Sequence, residues 1–542
     1  MGIKLGNGKW ATKEDELLAY RVIEGKYFDR SFDFARSSTT TRVNKDGYIE
    51  VVPSDTARID FADSVDGALL TEPASTNLIT YPISFGNNYW TKSGASIQGD
   101  PSTAGSELVT NGDFATDSDW GGSGSISGGQ LTKTSGGLAY QSVVITSGTQ
   151  YKIVVDVESL DGTTNIYAGG NNSEALSVGV QTIYMTGGSS NDWLGLNNGY
   201  SVGVGSVFNS ISVKEVQGFE SPKVDGSGGF EREAYKLVES SGGTTHNTYV
   251  AIGGLTSGTG YSISAFVKAG ERSKVAIKDG AGASYAAAFD LSTGTLLWEG
   301  YTGISSITAL ANGWYKISVV SSQASTTRYP MIVLLSNSYT TASYFDYSGD
   351  GTSGIYIAYA QLEEQASATS LMLPTTEGST TSRVADACTG SGTAQDFKDY
   401  NASGVLYAEI AANSDDLTDR YITIGDGGTS NRVEIRYRSA SNQIYVAVRV
   451  GGTYVSTMSY FVSDITDFHK VALKWNTDDF ALWVDGVERV TDNSGVTFSA
   501  GTLSNMSLAG TPSGGADFYG KTKAVEVLPY MSDTEMSLLT SP

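Results

Sequence analysis

The sequence predicts an all-β, multi-domain β-sandwich or jelly-roll chain, with one sandwich inserted in another. Three observations predict it. From Asn77 to Pro374, period-2 strands such as KIVVDV, SISAFV and YKISVV alternate with Gly, Ser, Thr and Asn turns, and no run of helical period reaches about 10 residues. Gly makes up 65 of 542 residues, about 12% against a usual ~7%, with only 10 Pro, while 39% hydrophobic content with 31 Tyr, 18 Phe and 8 Trp is too apolar for a disordered chain. Finally, one vocabulary occurs twice, the mark of a duplicated supersecondary unit: TSGTQYKIVVDVESL at Thr146–Leu160 and TSGTGYSISAFVKAG at Thr256–Gly270 share a T-S-G-T-x-Y turn that leads into an alternating strand.

The two units close alike, on YSVGVGSVFNSISVKEV (200–216) and YSGDGTSGIYIAYAQLE (347–363). Their openings are nested. NLITYPISFGNNYWTKSGASI begins one domain at Asn77, ELVTNGDFATDSDW begins another at Glu107, and EREAYKLVE from Glu231 supplies the strand that the first opening lacks. The sequence therefore predicts a split jelly roll over 77–105 plus 218–374 and an inserted jelly roll over 106–217. Insertion is tolerated at an exposed loop tip, whose ends lie close together.

Residues 1–76 read as a separate β-rich anchor segment with one helical candidate, Lys13–Tyr20, and a hairpin signal at Asp46-Gly47. TTEGSTTSR, inside 375–384, reads as a linker. Beyond it, 385–542 forms a terminal domain with strands GVLYAEIAA, RVEIRYR, QIYVAVRV and HKVALKWN, and an Asp485-Gly486 hairpin. Ser532 and Glu535 have capping-box spacing for a closing helical turn.

A formal net charge of −23 opposes nucleic-acid binding, which draws on Lys and Arg at phosphates. One cysteine, Cys388, excludes an intrachain disulfide and reads as a buried hydrophobe. No apolar h-region follows the first basic residues and no stretch approaches the ~18 apolar residues of a span, so neither a signal peptide nor membrane insertion is expected.

Catalytic signals are few. His246 and His469 are the two histidines, and His469, at the start of HKVALKWN, reads as a structural or surface group; no G-x-S-x-G elbow and no E-x-D-x-x-E run occurs. No enzyme and no cofactor are expected. Gly349–Gly354, GDGTSG, reads as a turn because a strand follows it. Asp346 and Asp350 there are Ca²⁺ candidates on composition only. Sugar binding needs aromatic faces for stacking and amides for the hydroxyls. The candidates are Trp120, Asn191, Asp192, Trp193, Asn197, Asn198 and Tyr200, against a competing core-packing reading.

FHKVALKWNTDDFALWVDGVERV and VEVLPYMSDTEMSLL resemble the centre and close of a concanavalin A-like or laminin-G-like domain, which implies that fold for the terminal region. ELVTNGDFATDSDW resembles the opening of carbohydrate-binding-module jelly rolls. FDFARSSTTTRVNKDGYIEVVPSDTARIDF, GALLTEPASTNLITYPISF, NGWYKISV and IYIAYAQLEEQASATSLMLPT resemble, in order, modules of tailed-bacteriophage virion structural proteins, from which the insertion departs. This resemblance implies a tail fibre or other surface appendage, displayed on the virion, that docks on other virion proteins through its N-terminal segment and recognises host-surface polysaccharide. It also implies a homo-oligomer, a trimer being the candidate state. Capsid-surface decoration or a head fibre is the alternative, and a glycan-degrading tail spike the second.

Overall fold

The structure, a computed structural model, describes the chain except residues 1–2, 7–11, 14–15, 18, 24–25, 101–103, 144, 198–203, 225–232, 281, 341–343 and 512–513. The described chain is all-β, with three buried cores from paired sheets and two α-helices, Ala394–Phe397 and Asp533–Thr540. Among the described residues no helix is long and apolar enough to cross a membrane.

The outer sandwich pairs two six-stranded sheets, one with Lys274–Asp279 and Pro330–Leu335 at its centre, the other with Gly354–Glu363 and Tyr261–Ala269. Alternation sends Ile263, Val275, Ile277, Phe289, Ile317 and Leu334 into the shared core, where each large apolar side chain contributes roughly 1.5–3 kcal/mol. Its first strands, Thr91–Ser93 and Ala95–Gln98, lie one in each sheet. Ala95–Gln98 pairs with Tyr235–Glu239, Ala95 opposite Glu239, so the halves of the sheet meet across more than a hundred intervening residues. Those residues build their own sandwich. One of its sheets carries Gln150–Ser159 beside Val207–Val216, the other Trp193–Asn197 between Leu138–Ser142 and Asn165–Ala168. Ala104 pairs with Val216, so the inserted chain leaves and returns at one place.

The duplicated turn has one physical cause in both sandwiches. Thr146 N–H donates to the Tyr151 hydroxyl at 2.8 Å, and Thr256 N–H donates to the Tyr261 hydroxyl at 3.1 Å. Gly148 and Gly258, at φ 84° and 78°, supply the left-handed residue that the turn needs.

Residues 1–76, expected as a separate anchor, instead contribute described strands to the terminal sandwich, while Ile49–Val52 pairs with Lys223–Val224 and Ile49 packs beside Phe266 and Trp314 of the outer one. The strand Gly520–Leu528 pairs on one side with Gly404–Ala412 and shares its other edge between Ala68–Thr71 and Ile3–Gly6. Leu5, Phe32, Phe34, Ile59 and Leu69 enter the same core as Ile424, Ile435, Leu473, Trp475 and Val525. An edge strand exposes unpaired backbone groups, and this one is covered by the start of the chain. The helical candidate Lys13–Tyr20 is also corrected: Thr12–Lys13 pairs with Glu16–Leu17, and Tyr20–Ile23 pairs with Ile3–Gly6 and Lys26–Asp29. So short a helix cannot offset its nucleation cost against strand pairing.

The expected linker 375–384 is tied down at its end, since Thr381–Arg383 pairs with Ser75–Asn77. Arg383 enters a buried ion cluster at the joint between outer and terminal sandwiches. Asp386 takes Arg36 at 3.0 Å and also Arg58; Glu72 takes Arg58 at 2.6 Å and Arg383 at 2.8 Å. Ser370, from the outer sandwich, donates through its backbone N–H and its hydroxyl to Glu72 at 2.8 and 2.7 Å.

Two local readings hold in detail. Asp485 and Gly486 sit at φ 50° and 79° between paired Val484 and Val487, the two-residue turn that matches strand twist. Ser532 caps the last helix reciprocally with Glu535, whose carboxylate accepts from Ser532 N–H at 2.8 Å. Cys388 is a buried free thiol, pushed upward by burial.

Candidate functional site

The inserted sandwich presents an outward face built on three adjacent strands. In Trp193–Asn197, Leu194 and Leu196 are buried in the core, which turns Trp193 and Asn197 outward, with the buried Gly195 between them. The register places Gly195 opposite Tyr140 on one side and Tyr167 on the other. Trp193 is 39% exposed and stacks on Tyr140, with ring centroids 4.4 Å apart and planes inclined by 25°. A Cβ on Gly195 would lie 2.2 Å from the Ala139 carbonyl oxygen and 2.9 Å from Tyr140 Cα, so only glycine fits. Its missing side chain lets the strand lie close against the backbone that carries Tyr140.

Amides fix the rim. Asn191 Nδ2 donates to the Tyr167 hydroxyl at 2.7 Å, while its Oδ1 accepts from Trp193 N–H at 3.1 Å. Asn197 Nδ2 donates to Asn172 Oδ1 at 2.9 Å. The Asp192 carbonyl accepts from Val143 N–H at 2.9 Å, which extends the pairing behind an exposed carboxylate. The five strands of this sheet contain no Lys or Arg, and Glu174 is their one charged residue. A half-exposed aromatic ring edged by amide donors and acceptors, on strands without Lys or Arg, offers stacking and hydrogen bonds to a neutral polyhydroxylated ring.

The structure thus brings together Asn191, Asp192, Trp193 and Asn197. Asn198 and Tyr200 lie outside the described residues. Trp120 stands apart: its ring meets Phe114 edge-on at 5.4 Å, its Nε1 donates to the Asn111 carbonyl at 3.2 Å, and it packs against the core. Tyr140, Tyr167 and Gly195 were not singled out by the sequence. The alternation of LAYQS and WLGLN gives their facing, but only the register joins them.

The Ca²⁺ candidates are corrected. Asp350 accepts from Thr352 N–H at 2.8 Å, Thr352 Oγ1 at 2.9 Å, Ser353 N–H at 2.7 Å and Ser353 Oγ at 2.6 Å, and it faces Arg272 at 3.4 Å. The Ser353 hydroxyl and N–H hold its carboxyl well below the usual range, and its oxygens are spent within the turn. Asp346 instead accepts from the Thr245 hydroxyl. Among the described residues no three His, Cys, Asp or Glu converge as a metal site.

Both histidines are engaged structurally. His246 is buried, with Nε2 3.0 Å from the Tyr347 carbonyl; His469 has Nδ1 2.6 Å from Asp485 and Nε2 2.9 Å from the Asp464 carbonyl. A cavity of about 430 Å³ lies at the joint, with Asp60, Lys316, Arg420 and Tyr519 in its walls. It is polar and of mixed charge, and it lacks the stacked rings of the Trp193 face.

No family model matches the chain, and no curated protein matches it. Among solved structures, the CBM40 of Ruminococcus gnavus IT-sialidase bound to alpha2,3 sialyllactose aligns at 18% identity over 28% of this chain and 94% of that one, with a TM-score of 0.24. Domains LG4-5 of the mouse laminin alpha1 chain align at 12% identity over 53% and 88%, with a TM-score of 0.19. The LG1-3 region of the laminin alpha2 chain aligns at 8% identity over 73% and 95%, again with a TM-score of 0.19. These are likenesses of fold, and no residue role passes across them. The chain is an all-β, multi-sheet protein whose sandwiches resemble those of CBM40 and laminin G.

Proposed function

We propose that the chain is a non-enzymatic, glycan-binding surface protein, displayed on a bacteriophage particle as a tail fibre or similar appendage. The observation that carries the binding reading is the exposed Trp193 stacked on Tyr140, rimmed by Asn191 and Asn197. The absence of Lys and Arg from its five strands makes the ligand a neutral glycan, since a carboxylated sugar would meet Asp192 and Glu174 with no cation to offset them. The virion reading rests on the sequence resemblance alone. Because described strands of residues 1–76 pair with the terminal sandwich and with Lys223–Val224, docking on the particle involves a folded surface rather than a free tail.

Arrays of neutral gluco-, galacto- and manno-oligosaccharides beside sialylated counterparts test the binding reading. Neutral chains bind, and Trp193→Ala weakens them by about 2 kcal/mol, roughly 30-fold, as loss of a central aromatic anchor does. Equal binding by wild type and variant, or preference for sialylated chains, overturns the site. Imaging of intact particles tests the display reading: density at the tail supports an appendage that meets the host, and density spread over the head makes it a capsid decoration.

A further inference from the structure

The inserted sandwich leaves one long strand edge open. Gly179–Thr186 pairs along its whole length with Gln150–Ser159, without a bulge, and no strand among the described residues takes its other side. The devices that usually protect an edge are missing from it: GVQTIYMT contains no Lys, no Pro and no charge. Val178, Val180 and Tyr184 are 64%, 71% and 41% exposed. In a chain of net charge −23, residues 175–191 contain no charged side chain at all.

We propose that this edge pairs with the same edge of a second copy, antiparallel, to form a two-fold dimer. The charge pattern favours a second copy as the occupant. The net charge opposes the approach of two copies as wholes, whereas this uncharged run brings no like charges together. The strand is also self-complementary. With Thr182 opposite Thr182 of the second copy, Val180 of each chain faces Tyr184 of the other, a β-branched–aromatic pair on one face. An antiparallel join within one continuous sheet has its two-fold axis perpendicular to that sheet, so both inserted sandwiches keep the same orientation relative to it. The two Trp193 faces, each on the opposing sheet of its sandwich, then point to the same side. If the glycan reading holds, the dimer is bivalent and gains avidity without a new contact.

The test is sedimentation velocity of the full chain at micromolar concentration, for wild type and for Val180→Lys/Thr182→Lys. Both positions are exposed, so lysine leaves the fold intact, which circular dichroism and an unchanged thermal midpoint verify. The expected result is a wild-type dimer whose dissociation constant rises at least about tenfold in the variant, since lysines then meet across the axis. The variant retains single-site glycan affinity, so loss of dimerisation is separable from failure of the Trp193 site. A monomeric wild type, a trimer, or a dimer that survives both lysines overturns the proposal.

Discussion

Lys133 is 1% exposed in the inserted sandwich, and its Nζ donates to the carbonyls of Gly137 and, at 3.1 Å, Leu196, on the strand that carries Trp193. Burial alone lowers its pKa from 10.5 to about 8. The unfolded chain therefore binds more protons than the native one between those values, so this residue makes stability rise with pH from about 8 to 10.5. Lys133→Met removes that contribution. The difference in thermal midpoint between wild type and variant should move in favour of wild type as pH is raised through this window; a pH-independent difference would mean that the ammonium is solvated in the native state.

At the scale of elements, the repeated T-S-G-T-x-Y turn makes two parallel predictions. Tyr151→Phe and Tyr261→Phe each remove the hydroxyl that accepts from the threonine N–H, at a cost of about 1–2 kcal/mol, including the stranded donor. The first should lower the denaturation midpoint of the inserted sandwich and the second that of the outer one, measured as separate transitions in urea. Tyr261 should cost more, since its hydroxyl also donates to Glu364 at 3.2 Å. Such local chemistry is what the sequence displays openly: turn residues, strand parity and the Ser532 cap each depend on neighbours within a few positions. The pairing of Ile3–Gly6 with Gly520–Leu528 is not legible in that way, because its partners lie far apart in the sequence. The candidate face divides similarly. Trp193 and its asparagines stand out as an aromatic in a polar stretch, whereas Tyr140 and Tyr167 join it through a register that their own segments do not encode.

At the scale of the whole molecule, the joint between outer and terminal sandwiches depends on charges removed from water. Arg36, Arg58 and Arg383 face Asp386 and Glu72, so each carboxylate serves more than one guanidinium and neither can be lost cheaply. Burial pushes the Glu72 carboxyl upward, but Arg383 and Arg58 outweigh it and hold it far below the ordinary range. A carboxylate depressed in the native state contributes stability above its unfolded pKa of about 4.3 and loses it as pH falls. Glu72→Gln should cost about 3–5 kcal/mol, because Arg58 then has Asp386 alone, which it shares with Arg36, and Arg383 loses its paired carboxylate. Calorimetry should show the transition of the joined sandwiches lowered by roughly 3–6 °C and less sensitive to acid, with that of the inserted sandwich, whose core is separate, unmoved. If the inserted sandwich shifts equally, the three cores melt as one unit and the joint extends through the whole chain.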